Sequence, residues 1–586
     1  SGNGSTWECA FKTLHEAGIA AGSGHEIWVA AGTHYTTTST DRTIAFTMKN
    51  GVAIYGGFTG TETMLNERDW VLNTTILSGE IGAPGNADNS YHVILNNANG
   101  LTATAVLDGF TITGANANGT GVFDQGGGMY NIGVSPKVVN CTFTANTTAK
   151  VGGAILNLNG AHATIEKCTF ASNSAMGDGG AIYNFNSAAT LINCSFTGNT
   201  SGQDGGALIN VSNGTGAITN CSFTSNTAVR DGGAIYNFVS TQNITNCSFT
   251  GNSAMQDGGG IFNVSGSSPV MTNCIFSGNA AGRDGGGLYS VSTASPQGIN
   301  CTFSGNKAVQ NGGEVFGNFS FTPSNFTNCI IWGNSTQVHL IGPITVNFTN
   351  SIVQGGCPAL AACTNVQNTD PLFVEQPDFN IAPTTTGNLQ LQVCSPAIEI
   401  GADAPNMTTT DLAGNPRKVD AITGASQIDL GAYEFQGDLA LDNGGSPYCN
   451  GTDCDDMNPA NYPGNTEICG DGMDNNCNGI VDDGCPVDCV VGEWTKWSEC
   501  SAPCGGGMRC RTRKILVPAQ NGGIPCPVLQ ECEPCNTQPC CADADNDGLL
   551  DATCGGDDCD DSSNTIYPGA AEIFDGQDNH LNNEGA

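Results

Sequence analysis

Between Asn140 and Asn318 apolar and polar positions alternate in short runs, and the runs return every 26 to 28 residues. Cysteine stands at Cys141, Cys168, Cys194, Cys221, Cys247, Cys274, Cys301 and Cys329, and each but the last is followed two residues on by Phe, from Phe143 to Phe303. Asn stands five residues after each Cys, and a Gly pair eleven residues after each of the first seven, from Gly152-Gly153 to Gly312-Gly313. A third apolar column follows the Gly pair at Ile155, Ile182, Leu208, Ile235, Ile261, Leu288 and Val315. The Cys-x-Phe alternation has the period of a strand with one buried face, and no segment keeps apolar residues at helical spacing for three turns. A unit this short cannot bury its apolar face alone and must stack on its neighbours. The spacing predicts an all-β chain built as a right-handed parallel β-helix, one rung per repeat, with like residues about 4.8 Å apart. The Asn positions are expected to form amide ladders at the bends, and the Gly pair to take backbone angles that other residues resist.

The flanks extend this element. Residues 1 to about 35 read as a cap in which Phe11, Leu14, Ala17 and Ile19 form one face of a short helix over the first rung and its open strand edges. Residues 36–135 lack the Cys signature but keep strand-length runs such as Val106 to Ile112. After Cys329 the repeat decays, and Pro371, Pro377 and Pro383 mark longer loops.

The pattern N-C-[ST]-F, then N, then G-G-A-I-Y-N resembles the polymorphic outer membrane protein type of β-helix repeat of bacterial surface and secreted proteins. Trp7, the run Glu26 to His34 and Gly51 to Phe58 are similar to the opening of such proteins, and Ile428 to Glu434 to their closing segment. The resemblance spans residues 1–436 and implies a fold rather than an activity.

Composition narrows the class. A net charge of −37 and 81 Gly describe an extracellular protein that repels nucleic acid and anionic membranes, and no apolar run is long enough to span a bilayer. The chain opens on Ser1 rather than Met, as expected if a leader has been removed. The 28 Cys form two populations. Eight lie in the column, where parallel Cβ vectors suit packing better than bridging, and are read as buried free thiols. Sixteen crowd the region after residue 440 as a disulfide framework. One bridge is expected among Cys357, Cys363 and Cys394, while Cys9 has no evident partner, and Cys485 and Cys541 are left unassigned.

One polar column could be a site. Asp178, Asp204, Asp231, Asp257 and Asp284 each precede a Gly pair, and carboxylates stacked at rung spacing repel one another. Bound Ca²⁺ would relieve them; so would capping of the Gly-Gly turn amides, with Arg230 and Arg283 nearby. Because pectate-lyase-like enzymes combine acids, Ca²⁺ and Arg on a parallel β-helix, a polysaccharide lyase or hydrolase is the alternative from the enzyme class. Against it, all the rungs look alike, whereas a catalytic cleft needs positions that break the pattern.

After Gln436 the chemistry changes. Residues 437–487 and 541–586 hold 22 Asp or Glu and no Lys or Arg. Both carry D-C-D-D, then Y-P-G, then an acidic Asn-rich run, at Asp453 to Asn478 and Asp558 to Asn579. They resemble the metal-binding module named after MopE. Asp543, Asp545, Asp547 and Asp551 repeat the oxygen spacing of the first half of a Ca²⁺ loop, with Gly548 at the turn and the Leu549 carbonyl as a further ligand. A second ion is expected at Asp558, Asp560, Asp575 and Asp578, and an equivalent one at Asp453, Asp455, Asp471 and Asp474. Copper is the rival suggested by the family name, but carboxylate oxygens favour Ca²⁺. The second module has few apolar residues, so it is expected to fold only with the ion bound. Comparing the two copies, Cys469 and Cys477 vanish together, which suggests that they pair; Cys449–Cys454 and Cys554–Cys559 are the next candidates.

Between the acidic modules, Trp494-x-x-Trp497-Ser-x-Cys500-Ser-x-x-Cys504-Gly-Gly-Gly, then Arg509, Arg511 and Arg513, and Cys535-Asn-Thr-Gln-Pro-Cys540, are similar to a thrombospondin type 1 repeat spanning residues 488–540. Arg at period two shares a strand face and can interleave with both Trp rings, a cation–π stack in place of a core. The resemblance implies bridges Cys489–Cys526, Cys500–Cys535 and Cys504–Cys540, with Cys510 and Cys532 an addition to the usual pattern. It also implies adhesion to glycan or protein ligands, with a rigid spacer as the plainer role.

The expected protein is thus a secreted or cell-surface bacterial adhesin or structural protein. Its units are a β-helix (1–436), an acidic Ca²⁺ module (437–487), a thrombospondin type 1 repeat (488–540) and a second acidic module (541–586). No catalytic arrangement of Ser, His and Asp stands out, and self-assembly into an extracellular fibre fits the layout.

Overall fold

A computed structural model describes residues 2–212, 214, 216–319, 323–333, 338–342, 346–392, 395–403, 408–419, 427–436, 466–476, 478–503 and 505–537. The chain divides into two compact units, residues 1–465 with 476–479, and 466–475 with 480–586.

The first unit is a parallel β-solenoid. Thr13 and Glu16 form a capping box that starts the helix Leu14–Ala20, and Leu14 and Ala17 face the core. Ile19, expected on the same face, is 83% exposed, because five positions after Leu14 the helix has turned it outward. In a representative rung the strands Thr164–Glu166, Thr169–Ala171, Ser174–Ala175 and Ile182–Phe185 are separated by tight corners. Each strand pairs in parallel with its counterparts in the adjacent rungs, giving sheets of 24, 10 and 8 strands. Register is unshifted through the repeats, with Phe143 opposite Phe170, Phe170 opposite Phe196 and so on to Phe303.

The three apolar columns lie inside, and the Phe rings from Phe143 to Phe303 stack with centroids 4.4 to 5.1 Å apart. The eight column cysteines are buried and unpaired. The Asn side chains five residues after Cys141 through Cys301 are buried, and each from Asn146 to Asn279 donates from Nδ2 to Oδ1 of its counterpart in the next rung at 2.7 to 3.1 Å. A second buried amide ladder, Asn96, Asn131, Asn157, Asn184, Asn210, Asn237 and Asn263, runs through the ten-stranded sheet. The corners explain the remaining residues. Asn140, Asn193, Asn220, Asn246, Asn273, Asn300 and Asn328, each preceding a column Cys, sit at φ of 50 to 55°, a left-handed region that Asn tolerates. The first Gly of each pair is also left-handed, as at Gly205 (φ 63°). The second fails any side chain for another reason: a Cβ on Gly206 would lie 2.1 Å from the Gly233 carbonyl oxygen of the next rung.

The Phe stack ends where Phe303 meets Phe326 edge-on, at 6.3 Å and 74°. The strands Val346–Val353 and Ala361–Gln367 close the solenoid, beside the disulfide Cys357–Cys363. Beyond them the chain does not simply leave; it folds back along the side of the rungs. Thr384 donates to the Gly278 carbonyl, Asn273 donates to Thr408 and Thr410, and Gly431 and Ala432 donate to the Asn328 carbonyl and Thr302. A second apolar cluster, with Ile330, Phe373, Leu389, Ile398 and Leu430, seals the returning segment onto the sheet.

Candidate functional site

The five Asp of the polar column are brought into line, and each carboxylate serves the rung after it. Asp178 accepts from the Asp204 amide (3.1 Å), Asp204 from Asp231 (3.2 Å), Asp231 from Asp257 (3.0 Å) and Asp257 from Asp284 (3.1 Å). Asp284 accepts from the Asn311 side chain at 3.0 Å. Guanidinium groups enter at alternate rungs and reach back by one: Arg230 Nε donates to Asp204 (3.0 Å) and Arg283 Nε to Asp257 (2.8 Å), each reinforced by an ion pair through Nη2. Asp204 and Asp257 are almost fully buried beneath them. The intervening carboxyls have no such cover. Burial, with Asp204 and Asp257 on either side, pushes Asp231 up to about 6, and burial raises Asp178. Backbone amides of the following rungs and the two arginines are the partners of the column's carboxylates. Among the described residues no three His, Cys, Asp or Glu side chains converge as a metal-ligand group.

A second acidic centre escaped the sequence reading. Asp411, Arg417, Asp429 and Glu434 are all buried where the returning segment crosses the rungs. Asp411 accepts from the Asn415 and Glu434 amides, and Asp429 from the Glu399 and Phe435 amides. Arg417 donates to the carbonyls of Gly431 and Asp429. The only sequence sign was the run Ile428 to Glu434; its partners Asp411 and Arg417 lie in a separate stretch, Asp411-Leu-Ala-Gly-Asn-Pro-Arg417.

In the second unit the strand Gly507–Thr512 pairs antiparallel with Gln530–Cys535, and a Trp-bearing segment joins it through Thr495 and Ser498, which donate to Thr512 and Cys510. Period-two spacing puts the three Arg on one face. Arg513 lies 4.3 Å from the Trp494 ring centre, Arg511 is 5.2 Å from Trp494 and 4.6 Å from Trp497, and Arg509 is 5.3 Å from Trp497. Glu533 and Glu531, on the facing strand, pair with Arg509 and Arg511. Bridges Cys489–Cys526, Cys500–Cys535 and Cys510–Cys532 frame this stack. Cys504 and Cys540 lie outside the described residues.

Of the metal ligands expected in the acidic modules only Asp471 and Asp474 are described. Asp471 accepts from the Met473 amide at 2.9 Å and from Asn475 at 3.2 Å, and Asp482 binds the Gly470 amide at 2.7 Å, so carboxylates and a tight loop share this corner. Asp453, Asp455, Asp543, Asp545, Asp547, Leu549, Asp551, Asp558, Asp560, Asp575 and Asp578 lie outside the described residues, as do Cys449, Cys454, Cys477, Cys554 and Cys559. The pairing expected for Cys469 is corrected: it bonds Cys485, not Cys477. The loop between them closes so that Asp482, three residues before Cys485, caps the Gly470 amide beside Cys469.

Comparison with known proteins agrees with this geometry for the solenoid and the disulfide-framed module. Residues 91–268 and 179–353 match the family model described as a right handed beta helix region. Residues 489–540 match the spondin-like TSP1 domain, and 453–483 and 558–580 match the model named for copper-binding MopE, by description a metal-binding motif. The chain is a β-helix carrying a thrombospondin type 1 module. Over 56 residues, 10% of this chain, it is 46% identical to mouse spondin-1 and 48% identical to human thrombospondin type-1 domain-containing protein 7A. It covers only 7% and 3% of those proteins, so the likeness is to one module. Among solved structures, that of pectate lyase Pel9A aligns over 74% of this chain and 93% of its own, at 13% identity and a TM-score of 0.35, too loose a match to carry any chemistry over. The thrombospondin-type module and the disulfides place the chain among extracellular proteins. No helix among the described residues is long and apolar enough to cross a membrane.

Proposed function

We propose that this is a non-enzymatic adhesive or structural protein of a bacterial cell surface or its surroundings, in which the β-helix is a stalk and the thrombospondin-type module the contact element. The observation that carries this reading is the five-layer order Arg513, Trp494, Arg511, Trp497, Arg509. Held by disulfides rather than a core, it presents alternating cationic and aromatic edges on a rigid strand, a surface that suits protein and glycan partners. The test is binding of the full chain to immobilised sulfated glycans and matrix proteins, with Arg511→Ala as comparison. Retained binding in that variant would remove the module from the adhesive role.

The acidic modules supply the second half of the reading. Their carboxylates, uncompensated by Lys or Arg in residues 437–487 and 541–586, are taken to bind Ca²⁺, so that binding supplies folding free energy. Chelation should expose both modules to proteolysis while the solenoid stays resistant; unchanged cleavage would refute the metal. Assembly into a fibre through the modular tail follows as a further expectation. Light scattering of the full chain with Ca²⁺ tests it, and a monodisperse monomer would exclude it.

A further inference from the structure

Where the returning segment crosses the solenoid it does not lie flush. The loop Thr410 to Gly414 and the half-buried Tyr433 stand off from the rungs and leave a groove of about 700 Å³. Its floor is two columns that run along the solenoid axis. One is amide: Asn220 donates to Asn193 at 3.0 Å and Asn246 to Asn220 at 3.1 Å, and the ladder ends where Asn273 donates to Thr408 and Thr410 of the returning segment. An amide has two N–H donors and an oxygen with two lone pairs, so Asn220, in mid-ladder, keeps one donor and one acceptor position in hand. The other column is hydroxyl: Ser195, Ser222 and Ser248 are direct register partners in successive rungs. The same donors and acceptors therefore recur about every 4.8 Å.

The one charged residue lining the groove is Asp411, whose carboxylate is buried and taken up by the Asn415 and Glu434 amides, in a chain whose net charge is −37. An anionic polymer gains no partner here and is repelled by the whole. What matches is a neutral chain whose own hydroxyls recur along its length. The advance per sugar of an extended β-1,4-linked pyranose chain is close to one rung, and its C–H faces suit the flank of Tyr433. We propose that this groove binds a neutral, linear β-1,4-linked polysaccharide lying along the solenoid axis, its hydroxyls paired with the Ser and Asn columns. The proposal rests on the adhesive reading only in taking the ligand to be an extracellular glycan, and the site is distinct from the Trp–Arg stack.

The test uses the full chain with Ca²⁺ and titrates β-1,4-linked glucose hexasaccharide, with hexagalacturonate as the anionic comparator. S195V/S222V/S248V removes the hydroxyls with a residue that strands favour. T111V/T142V makes the same change on the same sheet face at rungs outside the groove. The neutral hexamer is expected to bind, to weaken at least tenfold in the triple variant and to be unaffected in the control, while hexagalacturonate does not compete. Ser222→Val alone, expected to weaken binding about threefold, serves if the triple variant does not fold. Absence of hexamer binding, equal binding by the triple variant, or equal binding of the anionic chain overturns the proposal. So does loss of hexamer binding in Trp497→Ala, which would put the sugar on the module; failure of the module's own ligand binding leaves the groove result standing.

Discussion

Arg417 and Glu434 lie side by side with Nε 3.7 Å from Oε2, both side chains 1% exposed. The pair ties two stretches of the returning segment together, yet it is incompletely matched: among the described residues Arg417 Nε and Nη1 and Glu434 Oε1 have no hydrogen-bond partner. Buried charge without full pairing is costly, and the cheaper state is a neutral acid.

The charges facing Glu434 are Arg417, Asp429 and Asp411, and burial together with Asp429 pushes its carboxyl up to about 9 against the pull of Arg417. The folded state therefore holds this proton more tightly than the unfolded chain. Its contribution is complete below the ordinary carboxyl range and is lost as pH rises toward 9, at up to about 1.4 kcal/mol per pH unit. Asp429, pushed up to about 6, acts in the same sense over a lower window. Glu434→Gln mimics the protonated acid and should flatten the dependence between pH 6 and 9. Hydrogen exchange at the Gly431 and Ala432 amides, which bond the rungs, reads it directly. Parallel pH profiles in variant and parent would sink the account.

A buried ladder amide should be far less replaceable than its polar character suggests. Asn226 accepts from both the backbone and side chain of Asn199, and donates to Asn252 and to the Phe196 carbonyl. Asn226→Ala orphans groups on both neighbouring rungs at once, for a cost of about 2–4 kcal/mol. The check is chemical denaturation of the solenoid, and a loss under about 1 kcal/mol would mean that the ladder decorates the fold rather than holding it.

The thiol column should be chemically silent. All eight column thiols are buried, burial disfavours the charged form, and the reactive form is the thiolate. Alkylation under native conditions, read by peptide mapping, should mark exposed Cys9 and spare Cys141 to Cys329; in denaturant all nine should label. Native labelling of any column cysteine would show that the rungs open.

What was legible in the sequence is what repeats. The Cys, Phe, Asn and Gly-pair columns each occur seven or eight times, and the period alone gave the rung, its inside face and its corners. The Trp–Arg order was legible for a related reason, since period-two spacing fixes a strand face. Features that occur once gave no such signal. Asp411 and Arg417 carry nothing in their own stretch that names Glu434 as a partner. Cys469 was misassigned because the two acidic copies were compared, and the position matching Cys485 falls past Ala586, so its loss or retention could not be read. The Asp column was visible as a line of charge, but its pairing depended on Arg230 and Arg283 reaching back by one rung, a direction that spacing does not encode.

The final prediction concerns the central layer of the stack. Arg511 touches both Trp rings, at 5.2 and 4.6 Å from their centres, and also pairs with Glu531. Arg509 and Arg513 each contact one ring, so the middle position contributes most to the order of the five layers. Lysine keeps the charge but not the planar group that can lie between two rings and still donate sideways to a carboxylate. Arg511→Lys should therefore loosen the module by about 1 kcal/mol, and Arg511→Ala by more, because Glu531 then loses its partner as well. The disulfides Cys500–Cys535 and Cys510–Cys532 keep the strands together in either variant. The change should thus appear as heightened mobility of Trp494 and Trp497 rather than as unfolding. Near-ultraviolet circular dichroism and indole fluorescence quenching of the full chain report on it, and wild-type signals in Arg511→Lys would show that charge alone, without the flat guanidinium, suffices to order the stack.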